Sequence, residues 1–287
     1  MKIKFSNNSK KPKETVPAAG ASGDNIQQEQ KFLIWNNDDF FLREAYKTTR
    51  TNVMFSLAGK EGCRVIATTS GMQSEGKSIT GSNLAMSLAD MGSSVLIIDC
   101  DLRRPKLNRL LGVTAKYGLT DVLMDKSVLP EAVTLLKPGK PMWCMSAGRI
   151  PPNPSELLSS DGMRYLVEGL KEKFDYIFLD TPPVNMVTDA MVLSPLVDGF
   201  LFVVKANQSD KREFTHAMEQ LEYANAKVLG VIFNGTNQGG GGYGYKRYGY
   251  KKYGYGYKRY GYGYGYGYGY GYQQAPEEER GAGQEAK

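Results

Sequence analysis

Gly71-Met72-Gln73-Ser74-Glu75-Gly76-Lys77-Ser78 follows an apolar, β-branched run, Arg64 to Thr69, and opens a helix-like stretch from Lys77 to Met91. It matches G-x-x-x-x-G-K-[ST] at every constrained position, in the strand–loop–helix context that gives the pattern its meaning. In that context the loop amides and the helix N-terminus surround phosphates. Lys77 reaches the β- and γ-phosphates, and the Ser78 hydroxyl is a magnesium ligand. With glycine near 7% of residues, a chance match in a chain of 287 residues is on the order of one in a hundred. The expected nucleotide-binding set is Gly71, Gln73, Ser74, Glu75, Gly76, Lys77, Ser78 and Ile79, with ATP and Mg2+ as the ligands.

Working outward from this loop, short apolar runs alternate with helical stretches, the signature of a parallel sheet covered on both faces. Strands are predicted at Arg64 to Thr69, Val95 to Asp99, Met142 to Ser146, Tyr176 to Asp180, Gly199 to Lys205 and Val228 to Asn234. The helices between them are predicted near 77–91, 121–123, 161–173, 189–196 and 211–224. A further helix begins at Asp38 or Asp39, ends near Gly59, and carries Phe41, Ala45, Thr48, Asn52 and Phe55 along one side. The fold class is therefore α/β: a P-loop NTPase with a mostly parallel sheet flanked by helices on both faces, and with ligand chemistry at the strands' carboxyl ends. Two carboxylate motifs fall there. Val95-Leu96-Ile97-Ile98-Asp99-Cys100-Asp101 ends one strand and Tyr176-Ile177-Phe178-Leu179-Asp180 ends another. Magnesium takes oxygen ligands, and a strand pleat sends Asp99 and Asp101 the same way.

The ends of the chain have a different composition. Residues 1 to 31 lack apolar periodicity, and a flexible lead is expected over 1–37, followed by the P-loop domain over 38–236. From Gly239 to Tyr272 the chain is a near-repeat of Gly-Tyr, broken by Lys-Arg, Lys-Lys and Lys-Arg pairs. No aliphatic residue there can build a core, so a disordered tail is expected over 237–287. Fourteen of the nineteen tyrosines lie in it: Tyr243, Tyr245, Tyr248, Tyr250, Tyr253, Tyr255, Tyr257, Tyr260, Tyr262, Tyr264, Tyr266, Tyr268, Tyr270 and Tyr272. The formal charge of +6 does not itself point to nucleic acid, because six of the basic residues sit in this tail between Lys246 and Arg259. No apolar run approaches the roughly 18 residues that span a bilayer, and Cys63, Cys100 and Cys144 form no CxxC pair. A cytoplasmic chain that neither spans a membrane nor is secreted is the expectation. His216 is expected on a helix surface, and Trp35 and Trp143 as packing anchors.

The phosphate loop, the run Leu96-Ile97-Ile98-Asp99-Cys100-Asp101-Leu102-Arg103-Arg104-Pro105-Lys106, and Phe178-Leu179-Asp180-Thr181-Pro182-Pro183 together resemble the bacterial protein-tyrosine kinases of capsule and exopolysaccharide synthesis. So do Gly148 to Ser160 and the terminal tyrosine cluster. The resemblance covers about residues 38 to 236 and the tail. It implies catalytic roles for Lys77, Asp99, Asp101 and Asp180, and autophosphorylation of the tail tyrosines. The family's Glu-x-x-Arg-x-x-Arg ring-forming helix is matched by Glu44, Lys47 and Arg50, where a lysine replaces the first arginine's planar fork. The same resemblance implies a ring of copies when unphosphorylated, other protein substrates, and a membrane-anchored activator of the polysaccharide machinery that recruits the chain to the inner face of the cell membrane.

In this reading Lys77 and magnesium neutralise charge, and Asp99 accepts the phenol proton. Ser78, Asp101 and Asp180 hold magnesium, with the division among the three aspartates left open. Two rivals share parts of the pattern. Partitioning-type ATPases have this fold but carry an extra lysine where this chain has Met72, and a non-enzymatic chain would use the Gly-Tyr tail to adhere or to bind RNA.

Overall fold

The computed structural model describes residues 23–236. Its strands are β1 (Arg64–Ser70), β2 (Val95–Asp99), β3 (Val133–Lys137), β4 (Lys140–Met145), β5 (Tyr176–Asp180), β6 (Gly199–Lys205) and β7 (Val228–Asn234). The α-helices are α1 (Gly23–Gln30), α2 (Phe40–Ser56), α3 (Lys77–Ala89), α4 (Leu107–Leu110), α5 (Leu119–Met124), α6 (Leu129–Ala132), α7 (Pro154–Leu158), α8 (Asp161–Lys171), α9 (Asp189–Val192) and α10 (Lys211–Tyr223). One seven-stranded sheet runs β3-β4-β2-β5-β1-β6-β7. All its neighbours are parallel except β3 and β4, a hairpin turned at Gly139 with φ 76°. All six predicted strands are present. β3 was not predicted: it is a partly exposed edge strand, so its residues show neither a continuous apolar run nor a clean alternation.

The period of two in the strands divides the core. Val65, Ala67, Leu96, Ile98, Ile177 and Leu179 point into one cluster, on the side of α8 and α10, while Ile66, Val95, Ile97 and Phe178 point into the other, under α2 and α3. The central strands therefore carry apolar residues on both faces before their polar carboxyl ends, as a sheet covered on both faces requires. Trp143 meets Phe174 edge to face with ring centroids 5.4 Å apart, and His216 is exposed, as the sequence led us to expect.

Two expectations at the N-terminal side need correction. The flexible lead does not extend to residue 37: Gly23–Gln30 is helical, and Leu33 and Ile34 are buried in the cluster beneath α2 and α3. Asn83 of α3 ties this segment down, accepting from Ile34 N at 2.9 Å and donating to Phe32 O at 2.8 Å. Four apolar side chains among many amides, Ile26, Phe32, Leu33 and Ile34, gave no periodicity to read; the partner that orders them is fifty residues away. The second correction concerns α2. Asp39 is its N-cap, accepting from Phe41 N and Leu42 N. The side that carries Phe41, Ala45, Thr48, Asn52 and Phe55 faces solvent, with Phe41 at 65% and Phe55 at 74% exposure, and Leu42, Tyr46, Val53 and Leu57 face the core instead.

The expected tail, with its fourteen tyrosines, lies outside the described residues. Among the described residues no helix is long and apolar enough to cross a membrane. The two corrections generate a paired test: Ile34→Ala should destabilise the domain by about 2–4 kcal/mol in urea unfolding through loss of buried volume. Phe41→Ala, on the solvent side of α2, should stay within about 0.5 kcal/mol of the parent.

Candidate active site

Between the end of β1 at Ser70 and the start of α3 at Lys77 the chain turns through two left-handed residues, Ser74 at φ 63° and Gly76 at φ 92°. Glycine at 76 is required by its backbone and by its neighbour, since a Cβ there would lie 1.9 Å from Asn234 Nδ2. That amide, at the end of β7, donates to Glu75 O at 3.0 Å and so ties the loop to the sheet. Inside α3, a Cβ on Gly81 would come within 2.9 Å of Thr68 Oγ1, so the helix runs unusually close to β1. Within the predicted nucleotide-binding set the side chains differ in use. Glu75 is buried and braces the loop, accepting from Met72 N at 2.8 Å and from the Ser209 hydroxyl. Gln73 accepts from Arg104, and Ile79 packs against the core. A cavity of about 370 Å³ opens beside the loop, lined in part by Met72, Gln73, Met186, Asp210 and Glu213.

Parallel pairing places the carboxylates. β2 and β5 align so that Asp99 stands level with Asp180, and β1 and β5 align Thr68 with Asp180. Lys77 extends over this end of the sheet, with Nζ 3.3 Å from Asp101 Oδ2 and 3.6 Å from Asp180 Oδ1. The Ser78 hydroxyl donates to Asp180 Oδ2 at 2.6 Å, a charge-assisted bond. Lys77, Ser78, Asp101 and Asp180 therefore come together at this corner, and Asp99 lies beneath them, fully buried. Its Oδ1 accepts from Asp101 N at 3.1 Å, and its Oδ2 accepts from Lys106 N and Leu107 N, each at 3.0 Å. Asp99 thus also shapes the loop that follows β2.

The electrostatics follow from burial. Burial raises the Asp99 carboxyl to about 7, with the neighbouring charge of Asp180 adding to the effect. Asp180 is likewise raised by burial, against the opposing pull of Lys77 and the Ser78 hydrogen bond. For Lys77 burial disfavours the ammonium, but Asp180, Asp101 and Asp99 outweigh it and its pKa is raised, so it is charged at neutral pH.

The donor set fits a nucleotide-bound magnesium ion. Ser78, Asp101 and Asp180 offer hard oxygens, and among the described residues no group of three or more His, Cys, Asp and Glu forms a metal cage by itself. Magnesium uses one or two carboxylates and completes its shell with phosphate and water. Three carboxyl groups face one lysine here, and a divalent cation carried in on a nucleotide offsets that excess of acid groups.

Sequence reasoning missed a second layer. Arg103 closes its fork on the fully buried Asp189, with Nε to Oδ2 at 2.8 Å and Nη2 to Oδ1 at 3.0 Å, and Ser155 donates to the same carboxylate. The adjacent arginines in the Leu96–Lys106 run were visible, but nothing in the letters joined them to Asp189 at the start of α9. Of the expected assembly residues, Lys47 pairs with Glu44 at 2.6 Å on one turn of α2, whereas Arg50 donates to Ser87 O at 2.7 Å and thereby braces α2 against α3.

The raised Asp99 pKa sets a sign for stability. The folded state holds a proton that the unfolded state has released, so Asp99 makes stability fall as pH rises from about 4 to about 7. In chelator without nucleotide, the difference in melting temperature between Asp99→Asn and the parent should shift in favour of the variant from about pH 5 to about pH 8, because the amide does not titrate. A difference that does not change with pH would show that Asp99 keeps an ordinary acidity.

Known proteins similar to this chain include bacterial tyrosine-protein kinases. A profile of the family described as ParA: NUBPL iron-transfer P-loop NTPase matches residues 63–238. Tyrosine-protein kinase YwqD of Bacillus subtilis is 38% identical over 192 residues, covering 67% of this chain and 80% of that one. Tyrosine-protein kinase CpsD of Streptococcus agalactiae is 36% identical over 213 residues, covering 72% and 91%. The kinase domain of the Escherichia coli tyrosine kinase ETK superposes with a TM-score of 0.65 at 32% identity, covering 71% of this chain and 80% of that domain. The site geometry and these identities agree: on a ParA-type P-loop NTPase fold, this chain belongs to the bacterial tyrosine-protein kinases.

Proposed function

We propose that this kinase transfers the γ-phosphoryl group of ATP to the tyrosines of its own C-terminal segment, Tyr243 to Tyr272, on another copy of the chain, and that this controls capsular or exopolysaccharide synthesis. The observation that carries the reading is the placement of Lys77 within 3.6 Å of both Asp101 and Asp180 on an intact phosphate loop, in a chain that holds fourteen tyrosines in one segment. A magnesium ion held by Ser78, Asp101 and Asp180 would supply charge neutralisation to the nucleotide's phosphates. Lys77 turns from the carboxylates to the phosphate oxygens, and Ser78, Asp101 and Asp180 provide the oxygens that hold the ion. The phenol oxygen bonds to phosphorus as the bond to the departing ADP oxygen breaks. The phenol proton passes to Asp99 Oδ1, which carries a single backbone hydrogen bond and retains one acceptor direction.

Other protein tyrosines serve as further substrates, and no specific nucleic acid is involved. A membrane-anchored protein of the polysaccharide machinery activates the kinase and brings it to the inner face of the membrane. Unphosphorylated copies assemble into a ring through α2, with Glu44, Lys47 and Arg50 at the contact. Since exposed ion pairs are each worth only about 0–1 kcal/mol, heavy phosphorylation of the segment opposes that assembly by charge repulsion.

Purified protein incubated with magnesium and radiolabelled ATP should yield phosphotyrosine, and Lys77→Met should lower labelling by at least about 100-fold with the fold intact. A full-length Lys77→Met chain mixed with an active chain lacking residues 239–287 should be labelled in its tyrosine segment; absence of label there would rule out transfer between copies. Label on serine or threonine alone would overturn the proposal.

A further inference from the structure

The loop after β2 carries two adjacent arginines, and the structure uses them differently. The Arg103 fork is closed on Asp189, and its Nη2 also reaches Ser155 Oγ at 3.2 Å. Arg104 has no carboxylate within ion-pair distance among the described residues. Its side chain crosses to the phosphate loop, where Nη1 donates to Gln73 Oε1 at 2.8 Å. The acceptor is a neutral amide, so the positive charge is positioned without being neutralised. A guanidinium has five N–H donors, and the contact with Gln73 engages one of its arms, leaving a fork able to meet two oxygens of an anion.

Its backbone is held as deliberately as its side chain. Asp101 Oδ1 accepts from Arg104 N at 3.0 Å while Asp101 Oδ2 holds Lys77 Nζ at 3.3 Å, so one carboxylate sets both cations at the mouth of the loop. Gln73, the residue Arg104 touches, also lines the cavity beside the loop. The second position of the loop, from which an additional lysine would act in partitioning-type ATPases, is Met72, which is 41% exposed and carries no charge. The site therefore has Lys77 inside the loop and two cations at its rim without a carboxylate partner among the described residues: Arg104 on the Gln73 side chain, and Lys205, whose Nζ donates to Ser74 O at 3.4 Å.

Resting on the kinase reading above, we propose that Arg104 binds the phosphoryl group in transfer, supplying in cis a second positive charge at the γ-position. When the phenol oxygen bonds to phosphorus, the ADP oxygen departs and the proton moves to an aspartate, charge spreads over three equatorial oxygens. The planar fork of Arg104 matches two of them, and its contact with Gln73 gives way to contact with the group in flight. Such a residue contributes little to binding ADP, which lacks that phosphoryl, and much to binding its planar mimic.

The test compares MgADP with MgADP plus aluminium fluoride by titration calorimetry, on the full chain and on Arg104→Ala and Arg104→Gln. Arg104 is exposed, so both variants should melt within about 2 °C of the parent. MgADP affinity should stay within about twofold while affinity for the fluoroaluminate complex falls by about 100-fold, and phosphorylation at saturating ATP should fall by about 100- to 1,000-fold. Arg104→Lys should recover only part of the loss, because a point charge replaces a fork. A selective loss of less than about tenfold in a folded variant, or an equal loss for MgADP, overturns the proposal. The binding measurements need no tyrosine, so a parent protein that makes no phosphotyrosine even with its activator present would count against the proposed transfer and leave the Arg104 result standing.

Discussion

Three carboxylates and one ammonium share a buried site at the carboxyl ends of the central strands, and the surrounding loops are organised by the need to hold them there. Taking an ion out of water costs several kcal/mol even after the protein relaxes. Each aspartate is accordingly bound by groups that favour its charge: Asp99 by three backbone N–H groups, Asp180 by Ser78 and Lys77, and Asp101 by Lys77 and Arg104 N. The compensation is incomplete, which is why burial still lifts Asp99 and Asp180. A site left with surplus negative charge is suited to a divalent cation carried in on a nucleotide.

That arrangement depends on strand register. Side chains alternate across a strand, so a slip of one residue between β2 and β5 would send Asp180 to the opposite face from Asp99. Such a slip would also break the fitted packing of both core clusters and pull Asp99 and Asp180 away from their hydrogen-bond partners. Close approach of α3 to β1, permitted by Gly81 beside Thr68, brings Lys77 and Ser78 within reach of the same corner. Core packing and catalytic geometry are thus one constraint here, because the strands that bury Ile97 and Phe178 also carry the acids at their ends.

Outside this corner the domain is stiffened by contacts between segments distant in the chain. Arg103 and Asp189 join the loop after β2 to the start of α9, and removing one partner from such a pair leaves a buried charge uncompensated. Asn83 joins α3 to the segment before α2. One is a pair of charged side chains and the other a single amide bonded to backbone, and each makes its position dependent on a partner that local sequence does not mark.

The sequence by itself determined the phosphate loop, the six strands that surround it, the α/β class and the placing of Asp99 and Asp180 at strand ends. Those features are written in local patterns: a motif with fixed spacing, apolar runs bounded by turns, and acids at strand ends. Only the tertiary structure decided that Leu33 and Ile34 belong to the core, that the packing side of α2 is Leu42, Tyr46 and Val53, and that β3 pairs antiparallel at the edge. It also decided that Arg103 is spent on Asp189 while Arg104 stays uncompensated beside the phosphate loop. Periodicity reports that a helix or strand has two sides; which side is buried, and which of two adjacent cations is neutralised, depends on what arrives from elsewhere in the chain.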